Sequence, residues 1–320
     1  MTEQQTDAES FSVEDLFALG RELSNWGRWG DDDQKGALNF IGPAERVRAA
    51  AAVRSGRTFS LSLPLANGVG PQDGSFGRNN CVHLMTQTGD SPGPLRLGLD
   101  VDFTDDMLII ACQGSTQWDA LSHLYYGGRM YNGVPATEVD VHGAGRNGIE
   151  QVHADLVGRG VLLDVARHQG VECCDPRQPI RAAELDACAA AQGVALTRGD
   201  IVLVRTGVMT RIAAGDWSPY FATRQPGIHL DTVRWLARHE IAAVASDTAA
   251  VEGRSPIRGV PLPLHMVALR DMGVHLGEIW YLEDLAADCA ADGRYDCFLA
   301  AQALQIVGGC GSPVNPIAVK

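Results

Sequence analysis

The sequence predicts an α/β protein with a mixed sheet, organised as a single domain. Short apolar runs with strand character alternate with segments of helical patterning, which is the signature of the α/β class. Hydrophobic residues make up 45 % of the 320, enough for a sizeable core, and 36 glycines imply many tight turns. No internal repeat and no low-complexity linker divides the chain.

The elements follow in order. Residues 1–10, MTEQQTDAES, are polar and acidic and read as a disordered tail. Residues 12–23 have helical periodicity, with Ser12 as N-cap and Asp15 at the third helical position. Residues 25–33 form a loop with Trp26, Trp29 and three consecutive acids, Asp31 to Asp33. A second helix is expected over 43–55, with Pro43 in its first turn and Gly56 as its stop. Residues 58–63 alternate apolar and polar, a strand signal. Residues 66–95 are rich in Gly, Pro, Asn and Asp and read as one long loop. Residues 107–112 form a short apolar strand that delivers the polar stretch after it. Further strands are expected at 160–165, 200–206, 241–247, 278–282 and 298–307, with helices at 182–192 and 231–239.

Composition excludes several functions. A formal net charge of −13 argues against nucleic acid or anionic membranes as partners. No apolar run reaches the ~18–20 residues of a membrane span. The N-terminus has neither a basic nor an apolar region, so it is no signal peptide, and the expected location is the cytoplasm. Eight cysteines form no CxxC pair and read as small buried hydrophobes of a reducing compartment.

The chemistry concentrates in Gln113-Gly-Ser-Thr-Gln-Trp-Asp-Ala-Leu-Ser-His123, where Asp119 and His123 stand four residues apart just after a strand. Asp247 ends the strand 241–247, His265 closes Pro261-Leu-Pro-Leu-His265, and Glu278 opens the strand 278–282. Strand ends and the loops after them are where α/β sheets place ligands. Carboxylate oxygen with imidazole nitrogen is the donor set that holds Zn²⁺ or Mn²⁺ in hydrolases. Trp118, Tyr125, Tyr126 and Tyr131 cluster near the motif and are candidate aromatic walls for a substrate, as are Trp26 and Trp29. His229 and the histidines at 83, 142, 153, 168 and 239 read as structural or surface groups.

These residues resemble the cyclase-like metal-dependent hydrolases, the superfamily that includes bacterial kynurenine formamidase and isatin hydrolase. Its hallmark, H-x-G-T-H-x-D-x-P-x-H, falls on Gln113 to His123. Thr116, Asp119 and His123 match; Ser115 stands for the glycine, Leu121 for the proline, and Gln113 and Gln117 for two histidines. Further stretches at 29–39, 124–133, 157–164, 199–207 and 311–317 resemble a longer-chain branch. The resemblance thus covers residues 25–320, with 1–24 as an N-terminal tail and helix.

The resemblance implies a swivelling β/β/α fold and hydrolysis of an amide or lactone by metal-activated water, in a homodimer or homotetramer. It maps metal ligands to Asp119, His265 and Glu278, with Gln113 and Gln117 in the places of the two histidines. His123 becomes the acid/base group, and Asp247, in a segment near the active site, becomes a candidate substrate-binding residue. An amide oxygen is a harder, weaker ligand than imidazole and moves the site towards Mn²⁺ or Mg²⁺. Three readings stay open: a hydrolase with Mn or Zn; a metal-free acid–base cyclase or dehydratase using His123 with Asp119 or Glu278; and a non-catalytic binding protein. The partner in each is a small molecule.

Overall fold

A computed structural model describes residues 11–72, 74–90, 101–213, 217 and 225–320. The expected tail, 1–10, and part of the expected loop 66–95 lie outside the described residues. Helix α1 (Val13–Leu23) opens with the predicted cap: Ser12 Oγ accepts the Asp15 N–H at 3.1 Å, and Asp15 Oδ2 accepts the Ser12 N–H at 2.9 Å. Then come α2 (Pro43–Ala50), β1 (Thr58–Ser60), β2 (Val82–Gln87), β3 (Asp105–Ile109), β4 (Gln117–Asp119), β5 (Val139–Asp140) and β6 (Gly143–Ala144). The central run is β7 (Val157–Asp164), α3 (Val165–His168), α4 (Ala182–Ala191), β8 (Ile201–Arg205), α5 (Val208–Ala213), α6 (Thr232–Arg238) and β9 (Ala243–Ser246). Helix α7 (Pro263–His265) continues into a π-helical turn, Met266–Asp271, before β10 (His275–Glu278), α8 (Glu283–Asp292), β11 (Asp296–Ala300), β12 (Gly311–Pro313) and β13 (Ile317–Val319).

Nine strands form one mixed sheet in the order β1-β13-β11-β7-β8-β9-β10-β4-β12 among the described residues. The block β7-β8-β9-β10 is parallel, and β4 and β12 flank it antiparallel. The α/β mixed sheet is therefore as the sequence predicts. The parallel strands are buried along their length because helices cover them, which is why they read as apolar runs. Helix α1 joins the same core through Leu16 and Leu19. No described helix is long and apolar enough to cross a membrane.

Several boundaries differ, each for a physical reason. Helix α2 stops at Ala50, because the Ser55 and Gly56 N–H groups donate to the Lys320 carbonyl instead of continuing the helix. The expected loop 66–95 contains β2, which pairs with β3 in a separate two-stranded hairpin. The expected strand 107–112 therefore lies outside the main sheet, with Met107, Leu108 and Ile109 exposed. The strand expected to open at Glu278 instead closes there, because Ile279 turns the chain at φ 65°. The strand expected over 298–307 ends at Ala300.

Candidate metal centre

The centre lies where the parallel block meets its antiparallel flank. In the β10–β4 register Glu278 stands opposite Gln117 and Gly277 opposite Trp118. Alternation along β4 puts Gln117 and Asp119 on one face and Trp118 on the other. A Cβ on Gly277 would meet the Trp118 ring at 2.8 Å, so only glycine lets the two strands approach there. His265 arrives from the connection between β9 and β10, at the end of α7.

Asp119, His265 and Glu278 are all buried, and each offers a ligand atom within 4.8 Å of the others. His265 Nε2 lies 3.7 Å from Asp119 Oδ2 and 3.4 Å from Glu278 Oε1. Its other nitrogen is fixed from behind, with Nδ1 2.5 Å from Glu252 Oε1. Glu252 also accepts the backbone N–H groups of Leu264 and His265, each at 3.0 Å. A carboxylate on Nδ1 orients the ring and leaves Nε2 as the donor atom that faces the centre.

The remaining oxygens show what the cluster lacks. Both Asp119 carboxylate oxygens and Gln117 Oε1 are enclosed and accept no hydrogen bond. An unpaired buried acceptor costs about 1–3 kcal/mol, more when charged. A divalent cation would satisfy these oxygens together, so the residues fit a metal. Gln117 Nε2 donates to Glu278 Oε2 at 2.7 Å. Only the amide N–H₂ can face an ionised carboxylate, so Oε1 is the atom left for the centre.

Electrostatics agree with this crowding. Burial, reinforced by the Asp119 charge, pushes the Glu278 carboxyl up to about 7. Burial also raises Asp119, but His123 and His265 outweigh it and hold the carboxyl below its ordinary range. Burial disfavours the charged form of His265, yet Asp119, Glu252 and Glu278 together raise it well above an ordinary histidine. For His123 the Asp119 charge pulls upward, but burial and the positive charges of His265 and Arg78 win and lower it.

The backbone is strained beside both glutamates. Val251 sits at φ 56° and Ile279 at φ 65°, a region β-branched residues rarely enter. Such positions cost about 1–3 kcal/mol and persist where the surroundings over-determine them. Here Ile228 N–H donates to Val251 O at 3.0 Å, and Thr116 Oγ1 donates to Ile279 O at 2.6 Å.

The other predicted residues scatter. His123 stays with the centre, its Nε2 3.7 Å from Asp119 Oδ1, and its side chain keeps 25 % exposure. Gln113, an expected ligand, instead donates through Nε2 to Cys310 O at 3.1 Å and faces His123 Nδ1 at 3.5 Å. Trp118, an expected substrate wall, is fully buried, packs edge-on against Trp280 and donates to Ala301 O, so it belongs to the core. Tyr131 is likewise enclosed and donates to Asp33. Tyr126 donates to Asp271 at 2.6 Å and stacks on Phe17, tying α1 to the π-helical turn. Trp26 packs under Arg270 and Trp29 against Phe40. Asp247, expected to bind substrate, spends its oxygens on Thr206 N, Thr206 Oγ1 and Gly207 N at 2.8–3.0 Å. It locks the end of β9 to the end of β8, and burial pushes its carboxyl up to about 6. Sequence reasoning missed the role of Glu252; its one signal was an acid in an otherwise neutral stretch after a buried strand.

A crystal structure described as a novel cyclase is 43 % identical, covers 93 % of this chain and 100 % of its own, and superposes with a TM-score of 0.85. An isatin hydrolase bound to the product analogue thioisatinate is 18 % identical over 87 % of this chain and 98 % of its own, with a TM-score of 0.60. Isatin hydrolase A from Ralstonia solanacearum is 18 % identical over 82 % of this chain and 92 % of its own, with a TM-score of 0.61. At that identity the two hydrolases share the fold. No functionally curated protein matches the chain. The family model described as "Putative cyclase" matches residues 59–253, well over half the chain, and the protein belongs to this cyclase family.

Proposed function

We propose that this chain is a metal-dependent hydrolase that opens an amide or lactone bond in a small cyclic or aromatic substrate. The observation that carries this reading is the set of enclosed, unpartnered oxygens on Asp119 and Gln117 beside the fixed Nε2 of His265. Without a cation, the Asp119 carboxylate would stay buried with no donor, which favours the metal-dependent reading over a metal-free acid–base one. Asp119, His265, Glu278 and the Gln117 carbonyl would hold the ion, with Mn²⁺ or Zn²⁺ the expected occupants. An ion held there polarises a carbonyl and acidifies water. Glu252 keeps His265 in its ligating tautomer. Gln117 holds Glu278 Oε2, so Glu278 presents Oε1. His123, the partly exposed member, moves the proton at its Nε2 between the reacting atoms and the open side.

The test is the metal content of protein purified without added metal or chelator, paired with turnover of amides and lactones after chelation. Stoichiometric Mn or Zn, lost in Asp119→Asn and His265→Ala together with turnover, is the expected result. Metal-free protein whose turnover ignores chelators would overturn the reading in favour of an acid–base cyclase or dehydratase. His123→Ala should lower turnover by about 10²–10⁴-fold while metal content stays stoichiometric; near-normal turnover would remove His123 from the chemistry.

A further inference from the structure

The segment between β1 and β2 rests on the metal motif. Gln72 Nε2 donates to the carbonyls of Gln113 and Gly114, at 3.4 and 3.2 Å. Asn80 clasps the same glutamine: Oδ1 accepts the Gln72 N–H at 2.8 Å, and Nδ2 donates to Gln72 O at 2.9 Å. Between this segment and residues 110–115, 212 and 217 lies a cavity of about 230 Å³, walled by Leu63, Leu65, Val69, Ile110, Ile212 and Trp217 and bounded at the motif by Gly114 and Ser115. A dry apolar cavity of about 150 Å³ is enough to take benzene, so this one accommodates a ring.

Arg78 stands two residues before Asn80 in this segment. Most of the described arginines are held in ion pairs, as Arg159 is with Asp200 and Arg205 with Glu283. Arg78 makes no ion pair and no hydrogen bond among the described residues; its guanidinium lies 5.8 Å from the Phe76 ring. Its charge nonetheless reaches Asp119, His123 and Glu278. On a segment whose Asn80 lines the apolar cavity, a guanidinium with no ion-pair or hydrogen-bond partner among the described residues offers a planar fork that matches a carboxylate.

Resting on the hydrolase reading above, we propose that the cavity and Arg78 together form the substrate site, and that the substrate is a ring compound bearing a carboxylate. The ring enters the cavity between Leu65, Val69 and Trp217. Arg78 receives the carboxylate and so sets which side of the ring turns to the motif.

The test uses the metal-loaded protein and a matched pair of probes that hydrolysis cannot interconvert, phenylacetate and its neutral isostere phenylacetone, measured by isothermal titration calorimetry. The wild type should bind the acid at least about tenfold more tightly than the ketone, the effect of one charge-assisted contact. Arg78→Gln should erase that preference with metal content unchanged, Arg78→Lys should keep part of it, and Val69→Trp should weaken both probes alike. Circular dichroism checks that each variant folds. The proposal is overturned if Arg78→Gln retains the preference, if that variant loses its metal, or if the wild type binds neither probe. Failure of the hydrolase reading looks different: no amide or lactone is turned over, yet the Arg78-dependent preference persists.

Discussion

Glu252 is the residue on which the centre's geometry depends most, although it ligates nothing. Its Oε1 meets both the ring and the backbone N–H of His265, and its Oε2 meets the Leu264 N–H. Glu252→Gln keeps one carbonyl but turns an N–H₂ towards a backbone N–H. Metal affinity should fall about 10–100-fold, as for other outer partners of ligating histidines, read by competition with a chromophoric chelator. Unchanged affinity would make Glu252 a mere helix anchor. Gln117→His tests the other departure. An imidazole in that place should shift preference from Mn²⁺ towards Zn²⁺ in the same competition assay, and an unaltered ratio would show that position 117 does not reach the ion. Asp119, His265 and Glu278 were legible because their residue types and motif positions announce them. Glu252 was not, because its role is created by the turn at Val251, whose φ of 56° no pattern of residues declares. Trp118 was misread because proximity in sequence says nothing of the strand face: one residue either side of it points to the centre.

At the scale of elements, β7, β8 and β9 were legible because they are buried almost along their whole length and so read as apolar runs. β4 was not, since three residues show no periodicity. The hairpin of β2 and β3 was half-missed because its sequence lacks clean alternation, and the reason is now visible. Val82, Leu84, Met85, Met107, Leu108 and Ile109 are all exposed on a two-stranded arm that pairs with no further strand among the described residues. A lone two-stranded hairpin is marginal in water, and contiguous apolar exposure marks an interaction surface. We propose this arm as the contact surface of the expected homodimer or homotetramer. Leu108→Glu with Met85→Glu should reduce the assembly seen by light scattering after gel filtration, and an unchanged mass would place the contact elsewhere. Asp247 makes the opposite point, as an apparent site residue that is an inter-strand lock. Asp247→Asn would turn an N–H₂ against the Thr206 or Gly207 N–H. Stability in urea should drop by about 1–3 kcal/mol, whereas a rise in KM with stability intact would restore its substrate role.

For the molecule as a whole, the centre is a joint between two parts of the sheet. Asp119 and Gln117 belong to the antiparallel flank, Glu278 to the last parallel strand, and His265 to the connection that crosses from β9 to β10. Removing a cation from this joint leaves three carboxylates, Asp119, Glu252 and Glu278, facing one imidazole in a buried space. The unfolded chain has no such site, so binding free energy becomes folding free energy. At free metal a hundred times its Kd the linkage contributes about 2.7 kcal/mol. In a domain of 320 residues that corresponds to a shift of roughly 4 °C in the unfolding midpoint. Calorimetric scans with Mn²⁺ in excess and after chelation should differ by this amount. In Asp119→Asn, where the charge that closes the joint is gone, the two scans should coincide. A wild type shown by elemental analysis to have lost its metal, yet melting at the same temperature, would mean that the ion does not bridge these strands. The enclosed oxygens of Asp119 and Gln117 would then need another partner.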